Sequence, residues 1–235
     1  MIMYLERLER SLPEVRERIA GAQDRAVRSG AGSVTLVAIT KGHPVEAMQA
    51  AREAGLRVIG ESRVQEARTK RMIVGDLGLE WHLVGHLQRN KVRDALELFS
   101  LIHSVDSLRL AEAIAGEAKK QGRVADILIQ VNASGEAAKY GFPIAEGLTF
   151  VRQVCTLEHV RVRGLMTMAP FTDDESVLRG TFRRTREFYE RCRASLENFE
   201  GRHISMGMTN DYEIAVEEGS SMVRLGTVLF GERGQ

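Results

Sequence analysis

The sequence predicts a (β/α)8 barrel, and three observations carry that prediction. Eight short β-rich runs are spread along 235 residues with helix-like segments between them, the alternation of an α/β fold with a parallel sheet. The first run ends in Thr40-Lys41-Gly42, where an open doubly wound sheet usually carries a glycine-rich phosphate loop. Small and hydroxylated residues gather after the seventh and eighth runs, a place where barrels often bind phosphate.

In chain order, the N-terminal stretch places Leu5, Leu8, Leu12, Val15, Ile19, Ala22 and Ala26 at steps of three and four, which is one face of a helix. Pro13 falls inside this series, so a short first turn is expected, then a helix from the Ser11-x-x-Glu14 capping box. The eight runs are SVTLVAIT (33–40), RVIG (57–60), EWHLVG (80–85), LIHSV (101–105), DILIQVN (126–132), RVRGLM (161–166), HISMG (203–207) and MVRLG (222–226). Between the first two, PVEAMQAAREAG has Pro44 near its start and Gly55 as its stop, the usual asymmetry of a helix. SLRLAEAIAGEAKKQG ends in the same way at Gly122. Over 178–196, Leu178, Phe182, Thr185, Tyr189, Cys192 and Leu196 share a helical face.

Composition narrows the function. Hydrophobic residues make up 43% and charged residues 28%, enough for a substantial core, and the length suits one domain over 1–235. Lys+Arg 33 against Asp+Glu 32 leaves +1, which gives no electrostatic case for a nucleic-acid or membrane partner. Cys155 and Cys192 fall in helix-like segments and form no spaced motif, which favours a reducing compartment. The start MIMYLERLER is not a signal peptide, and no stretch is apolar enough to span a bilayer. The expected location is the cytoplasm.

The candidate chemistry begins at Lys41. Barrels place functional groups at the C-terminal ends of their strands, and Lys41 directly follows the first run. Taken alone it reads as a solvated strand-end lysine. Its amine condenses with an aldehyde only after losing a proton, and partial burial beside other cations would lower its pKa. The loops SMGMTND and RLGTVLFG change the reading. They offer the Ser205, Thr209 and Thr227 hydroxyls, with Gly207 and Gly226 permitting close approach and Arg224 alongside. Phosphate is held by inward backbone N–H groups, small residues and hydroxyl donors. A Schiff-base lysine facing a phosphate cup describes an aldehyde phosphate, and pyridoxal 5′-phosphate is the commonest such cofactor.

These residues lie in blocks that run in order from about Leu12 to the end: AITKGHP, IGESRVQEA, WHLVGHLQRNK, VNASGEAAKYG, RGLMTMAP, SMGMTNDYEIAVEEGSSMVRLGT and LFGER. In them the chain resembles the pyridoxal phosphate homeostasis protein family, single-domain relatives of the barrel half of bacterial alanine racemase. The resemblance implies Lys41 as the Schiff-base lysine, Ser205, Thr209, Gly226 and Thr227 as the phosphate cup, and Arg224 near the pyridine nitrogen. An arginine cannot accept the ring's proton, so it makes the ring a weak electron sink. Ser62, His82, Met166, Met206 and Gly207 complete the implied cofactor-binding set. Ser62 is a departure, because the family carries asparagine there; Ser62-x-x-Gln65 also reads as a plain capping box. The implied role is to buffer or deliver the vitamer, influencing amino-acid and keto-acid pools without efficient catalysis. Transient contact with apoenzymes that require the cofactor, and a monomeric chain, are further expectations.

Other residues read more simply. His82 and His86 have metal-pair spacing, but the first lies in a strand and Gly85 breaks the run. His82 is therefore expected to point into the barrel or line the pocket, with no metal site. His43 reads as a solvated loop histidine, RRTREFYERCR as a solvated charged face, and Lys139 as a surface lysine or a second amine. Met166 and Met168 are either filler or the flanks of the ring. Two rival functions remain open. A racemase needs a second proton donor, for which Tyr140 and Tyr212 are the candidates. A Schiff-base aldolase acting on a sugar phosphate would share the phosphate cup.

Overall fold

All eight runs are strands of one parallel sheet closed on itself in the computed structural model, which describes residues 1–26, 32–135 and 140–232. The strands are β1 (Thr35–Ile39), β2 (Val58–Glu61), β3 (Glu80–Leu83), β4 (Leu101–Val105), β5 (Ala125–Asn132), β6 (Val160–Met166), β7 (His203–Ser205) and β8 (Met222–Leu225). Each pairs with the next, and β8 pairs with β1 through Val37↔Arg224 and its neighbours, which closes the ring. A two-residue ladder at Phe142–Pro143 rests on the end of β5 outside the barrel.

The strands read as unbroken apolar runs because both of their faces are buried. Alternation sorts the side chains. Val37, Ile39, Leu101, Leu128, Met166 and Met222 pack on one another inside the barrel. Their neighbours, such as Ala38, Ile102, Ile127, Leu165 and Val223, join the larger core beneath the helices. The same parity that turns Met222 inward turns Arg224 inward, one step nearer the C-terminal mouth.

The principal helices are α1 (Ile2–Asp24), α2 (Val45–Glu53), α3 (Val64–Val74), α4 (Val92–Leu98), α5 (Leu108–Lys120), α6 (Gly147–Cys155), α7 (Glu175–Ser195), α8 (Tyr212–Glu217) and the single turn α9 (Thr227–Phe230). The expected break at Pro13 is absent. α1 runs through it, with Leu8, Leu12, Val15, Ile19 and Ala22 buried. Pro13 stands on the exposed face, where water can satisfy the carbonyl that proline leaves unbonded. Ser11 does not cap a helix; its hydroxyl donates to the Leu229 carbonyl at 3.4 Å. The charged face of α7 is not wholly solvated either. Arg186 is buried and donates to both the carboxylate and the carbonyl of Glu218, each at 3.1 Å, because α8 packs over that side of α7. Cys155 and Cys192 are free thiols, each pushed up to about 12 by burial.

Candidate functional site

A cavity of 380 Å³ opens at the C-terminal mouth of the barrel. Its wall is assembled from the ends of separate strands. The loop after β1 brings Lys41 and His43, and β8 with α9 brings Arg224, Gly226 and Thr227. Met208, Thr209, Asn210 and Asp211 come from the loop after β7, and the segment Met168–Thr172 comes from the loop after β6. Val84, Leu178 and Glu232 complete the wall.

Lys41 is half-buried in a tight turn. The Thr40 N–H still donates to Gly60 of β2 at 3.1 Å, and the His43 N–H folds back onto the Thr40 carbonyl at 3.0 Å. Gly42 takes the left-handed conformation with φ 71, which glycine adopts without a steric penalty. Pro44 then precedes α2. His43 is buried rather than solvated: its Nδ1 lies 3.3 Å from the Tyr4 hydroxyl of α1, and its ring packs against Tyr4 and Phe230.

The cavity floor is a buried polar chain. Arg224 donates from one guanidinium nitrogen to Ser205 Oγ at 2.8 Å and from the other to the Thr167 carbonyl at 2.9 Å. Ser205 Oγ meets His103 Nδ1 at 3.0 Å, and His103 Nε2 meets His82 Nδ1 at 3.1 Å. Burial, then the neighbouring His203, pushes His82 down to about 3. Burial, followed by His82, Arg224 and His203, holds His103 well below the ordinary range. Two neutral imidazoles carry one N–H each, so one N–H serves the bond between the two rings. Burial also brings Arg224 down to about 10, opposed by nearby Asp211; it stays charged at neutral pH. The Asp211 carboxyl is raised by its own burial and accepts the Met208 N–H at 2.6 Å.

The structure therefore sorts the expected residues into wall and backing. Lys41, Thr209, Arg224, Gly226 and Thr227 meet at one cavity. Ser205, Met206, Gly207, His82, Met166 and Ser62 are not on its wall. Ser205 turns inward because it ends β7 on the inside parity, and its hydroxyl anchors Arg224 instead of facing the cavity. The Met206 N–H is occupied by the Met222 carbonyl at 3.1 Å. Gly207 lies against α8 with φ 96, where a Cβ would come 2.7 Å from the Ala215 Cβ. Met166 belongs to the barrel interior, whereas Met168 lines the cavity. Ser62 does not cap α3, whose N-cap is Arg63 with no side-chain bond; the Ser62 hydroxyl is buried without a hydrogen-bond partner. Lys139 lies outside the described residues. Neither Tyr140 nor Tyr212 lines the cavity.

Sequence reasoning missed Asn210, Asp211 and the Pro170-Phe171 lip. The first two were legible as the polar end of SMGMTND, the loop already singled out. The lip carried no chemical signal.

Residues 11–234 match the family model described as alanine racemase, N-terminal domain. The chain is 41% identical over 228 residues to the pyridoxal phosphate homeostasis protein of Aquifex aeolicus, covering 97% of both. It is 36% identical to the protein of that name from Pseudomonas aeruginosa, covering 95% of this chain and 94% of that one. The chain belongs to the pyridoxal phosphate homeostasis protein family. Among solved structures, PipY of Synechococcus elongatus with PLP bound is 38% identical, with a TM-score of 0.80 over 92% of this chain and 99% of PipY. Beyond the family, the likeness is one of fold. Alanine racemase of Corynebacterium glutamicum is 15% identical with a TM-score of 0.70, over 93% of this chain and 62% of that one.

Proposed function

We propose that this chain binds pyridoxal 5′-phosphate and serves in its homeostasis, carrying the cofactor on Lys41 and holding its phosphate with the loops after β7 and β8. One observation carries the reading: Lys41, Arg224 and the donors Thr209, Gly226 and Thr227 line a single cavity. The residues fit the group. A volume of 380 Å³ lies within the range of small-ligand sites, and the first turn of α9 leaves N–H groups without intrahelical partners. The resemblance to PipY, whose solved structure has PLP bound, supports the same assignment.

When bound, the cofactor supplies an aldehyde that an amine can capture and a ring that withdraws electrons. The protein's own part is to present Lys41 as an amine at the cavity edge and to release its proton. Thr209 and Thr227 offer hydroxyl donors to an anion. Arg224, fixed by Ser205 and Thr167, presents only donors and has no site to accept a proton. The floor is thus built for holding a ring rather than for stabilising a carbanion on it. A racemase would need a second acid facing the cavity; Tyr140 and Tyr212 stand off its wall, and the Asp211 carboxyl that does line it accepts the Met208 N–H. We read the chain as a cytoplasmic monomer that meets apoenzymes transiently; among the described residues no helix is long and apolar enough to cross a membrane.

The test is to load purified protein with the cofactor, record visible spectra, reduce with borohydride and map the modified peptide, beside Lys41→Ala. A yellow protein with the adduct on Lys41 is expected, and the variant should stay colourless. An adduct on another lysine overturns the assignment. A colourless wild type would favour the aldolase.

A further inference from the structure

Behind the Lys41 turn lies a second buried cluster, none of which reaches the cavity wall. Glu61 ends β2 and is fully buried; Lys70 is buried on α3; Glu66 stands one turn before it. The Lys70 ammonium donates to Glu61 Oε1 at 2.8 Å and lies 2.7 Å from Glu66 Oε1. Both halves of the cluster then reach the turn. Lys70 donates to the Thr40 carbonyl at 2.8 Å, and the Thr40 hydroxyl donates to Glu61 Oε1 at 2.7 Å. The Gly42 N–H donates to Glu66 Oε1 at 2.7 Å.

Those acceptors and donors belong to the two peptide groups that meet at the Lys41 Cα. The peptide before it is held at its carbonyl oxygen, the peptide after it at its N–H. With both planes tethered, neither backbone dihedral of Lys41 can rotate without breaking a charge-assisted hydrogen bond. A half-buried lysine on a flexible stem gains a fixed origin from this arrangement. Holding a nucleophile in place is worth large factors in its reaction with a bound partner.

We infer that Glu61, Glu66 and Lys70 are positioning residues that clamp the Lys41 turn and so set where its amine emerges in the cavity. The inference rests on the reading of Lys41 as the residue that carries the cofactor.

Glu66 is the safest place to test it, because it is the more exposed of the two carboxylates. Glu66→Ala removes the acceptor for the Gly42 N–H, and Glu66→Gln keeps one. The double variant Glu61→Gln/Lys70→Met removes the buried ammonium and the charge it balances together, leaving an amide oxygen for the Thr40 hydroxyl. Two rates are measured at a temperature where all variants are folded by circular dichroism. The first is modification of Lys41 by an amine-specific reagent with no cofactor present, read by peptide mass spectrometry. The second is growth of the visible band on adding pyridoxal 5′-phosphate. In Glu66→Ala, modification of Lys41 should quicken about threefold and capture of the cofactor should slow about tenfold. Glu66→Gln should restore both to near wild type. The double variant should behave as Glu66→Ala does. Wild-type rates in Glu66→Ala overturn the clamp, whatever the double variant does. A visible band that survives Lys41→Ala would instead overturn the assignment of the carrying lysine, and the reagent rates would still decide the clamp.

Discussion

Ser62 shows how a single side chain can be read two ways and fit neither. The capping role fails because the N-cap of α3 falls one residue later, at Arg63. Contact with the cavity fails because Ser62 is not on the wall. What the structure gives is a buried hydroxyl with no hydrogen-bond partner, a group that costs about 1–3 kcal/mol to leave unsatisfied. The asparagine that the resemblance gives at this place has more reach and one more donor. Ser62→Asn is therefore expected to tighten cofactor binding about fivefold, the worth of about one hydrogen bond. Equilibrium titration of the visible band compares the two proteins, and an unchanged dissociation constant would refute the idea. Lys41 was legible as a residue of the candidate cavity because it sits where a buried run meets a turn. Glu61, Glu66 and Lys70 were not legible, because nothing in IGESRVQEARTK says that its charged groups fold back onto a loop 21 to 30 residues earlier.

At the scale of elements, strand positions followed from the sequence because barrel strands are buried on both faces and stand out as apolar runs. Their ends were harder to place. HISMG suggested a strand to residue 207, but β7 stops at Ser205 and the rest turns away against α8. That difference decided the site: inside the strand, Ser205 faces Arg224, and only beyond Gly207 does the loop reach the cavity. Pro13 misled for a related reason, since its consequence depends on which helix face it occupies. Gly207 marks the point where the loop departs. Gly207→Ala would force a left-handed φ on a residue with a Cβ and press it against Ala215, at a cost of about 1–3 kcal/mol. Thermal denaturation should show this loss, and binding of the cofactor's phosphate should weaken with it. A variant as stable as wild type would show that the loop relaxes freely.

Across the whole molecule, the buried floor links stability to pH. His82 and His103 are neutral in the fold, whereas each takes a proton near pH 6.5 in the unfolded chain. Below that pH the unfolded state binds more protons, so stability falls as pH falls, for His82 down to about 3. Glu61 and Asp211, raised by burial, act in the opposite sense. Replacing one histidine isolates its share: His103→Gln should make the fall between about pH 6 and pH 5 shallower by about 1.4 kcal/mol per pH unit. Urea midpoints measured across that range test it, and parallel curves would show that His103 is charged in the fold.

Closure of the ring also bears on what happens when the protein gives up its cargo. On the proposed reading the chain alternates between filled and empty forms, and the empty form is where many proteins become prone to clumping. Among the described residues, each barrel strand is flanked on both sides by another, so unloading bares side chains at one mouth and no main chain along a flank. Without an open flank to template a neighbouring copy, the vacant carrier should stay as dispersed as the charged one, free to wait for its next passenger.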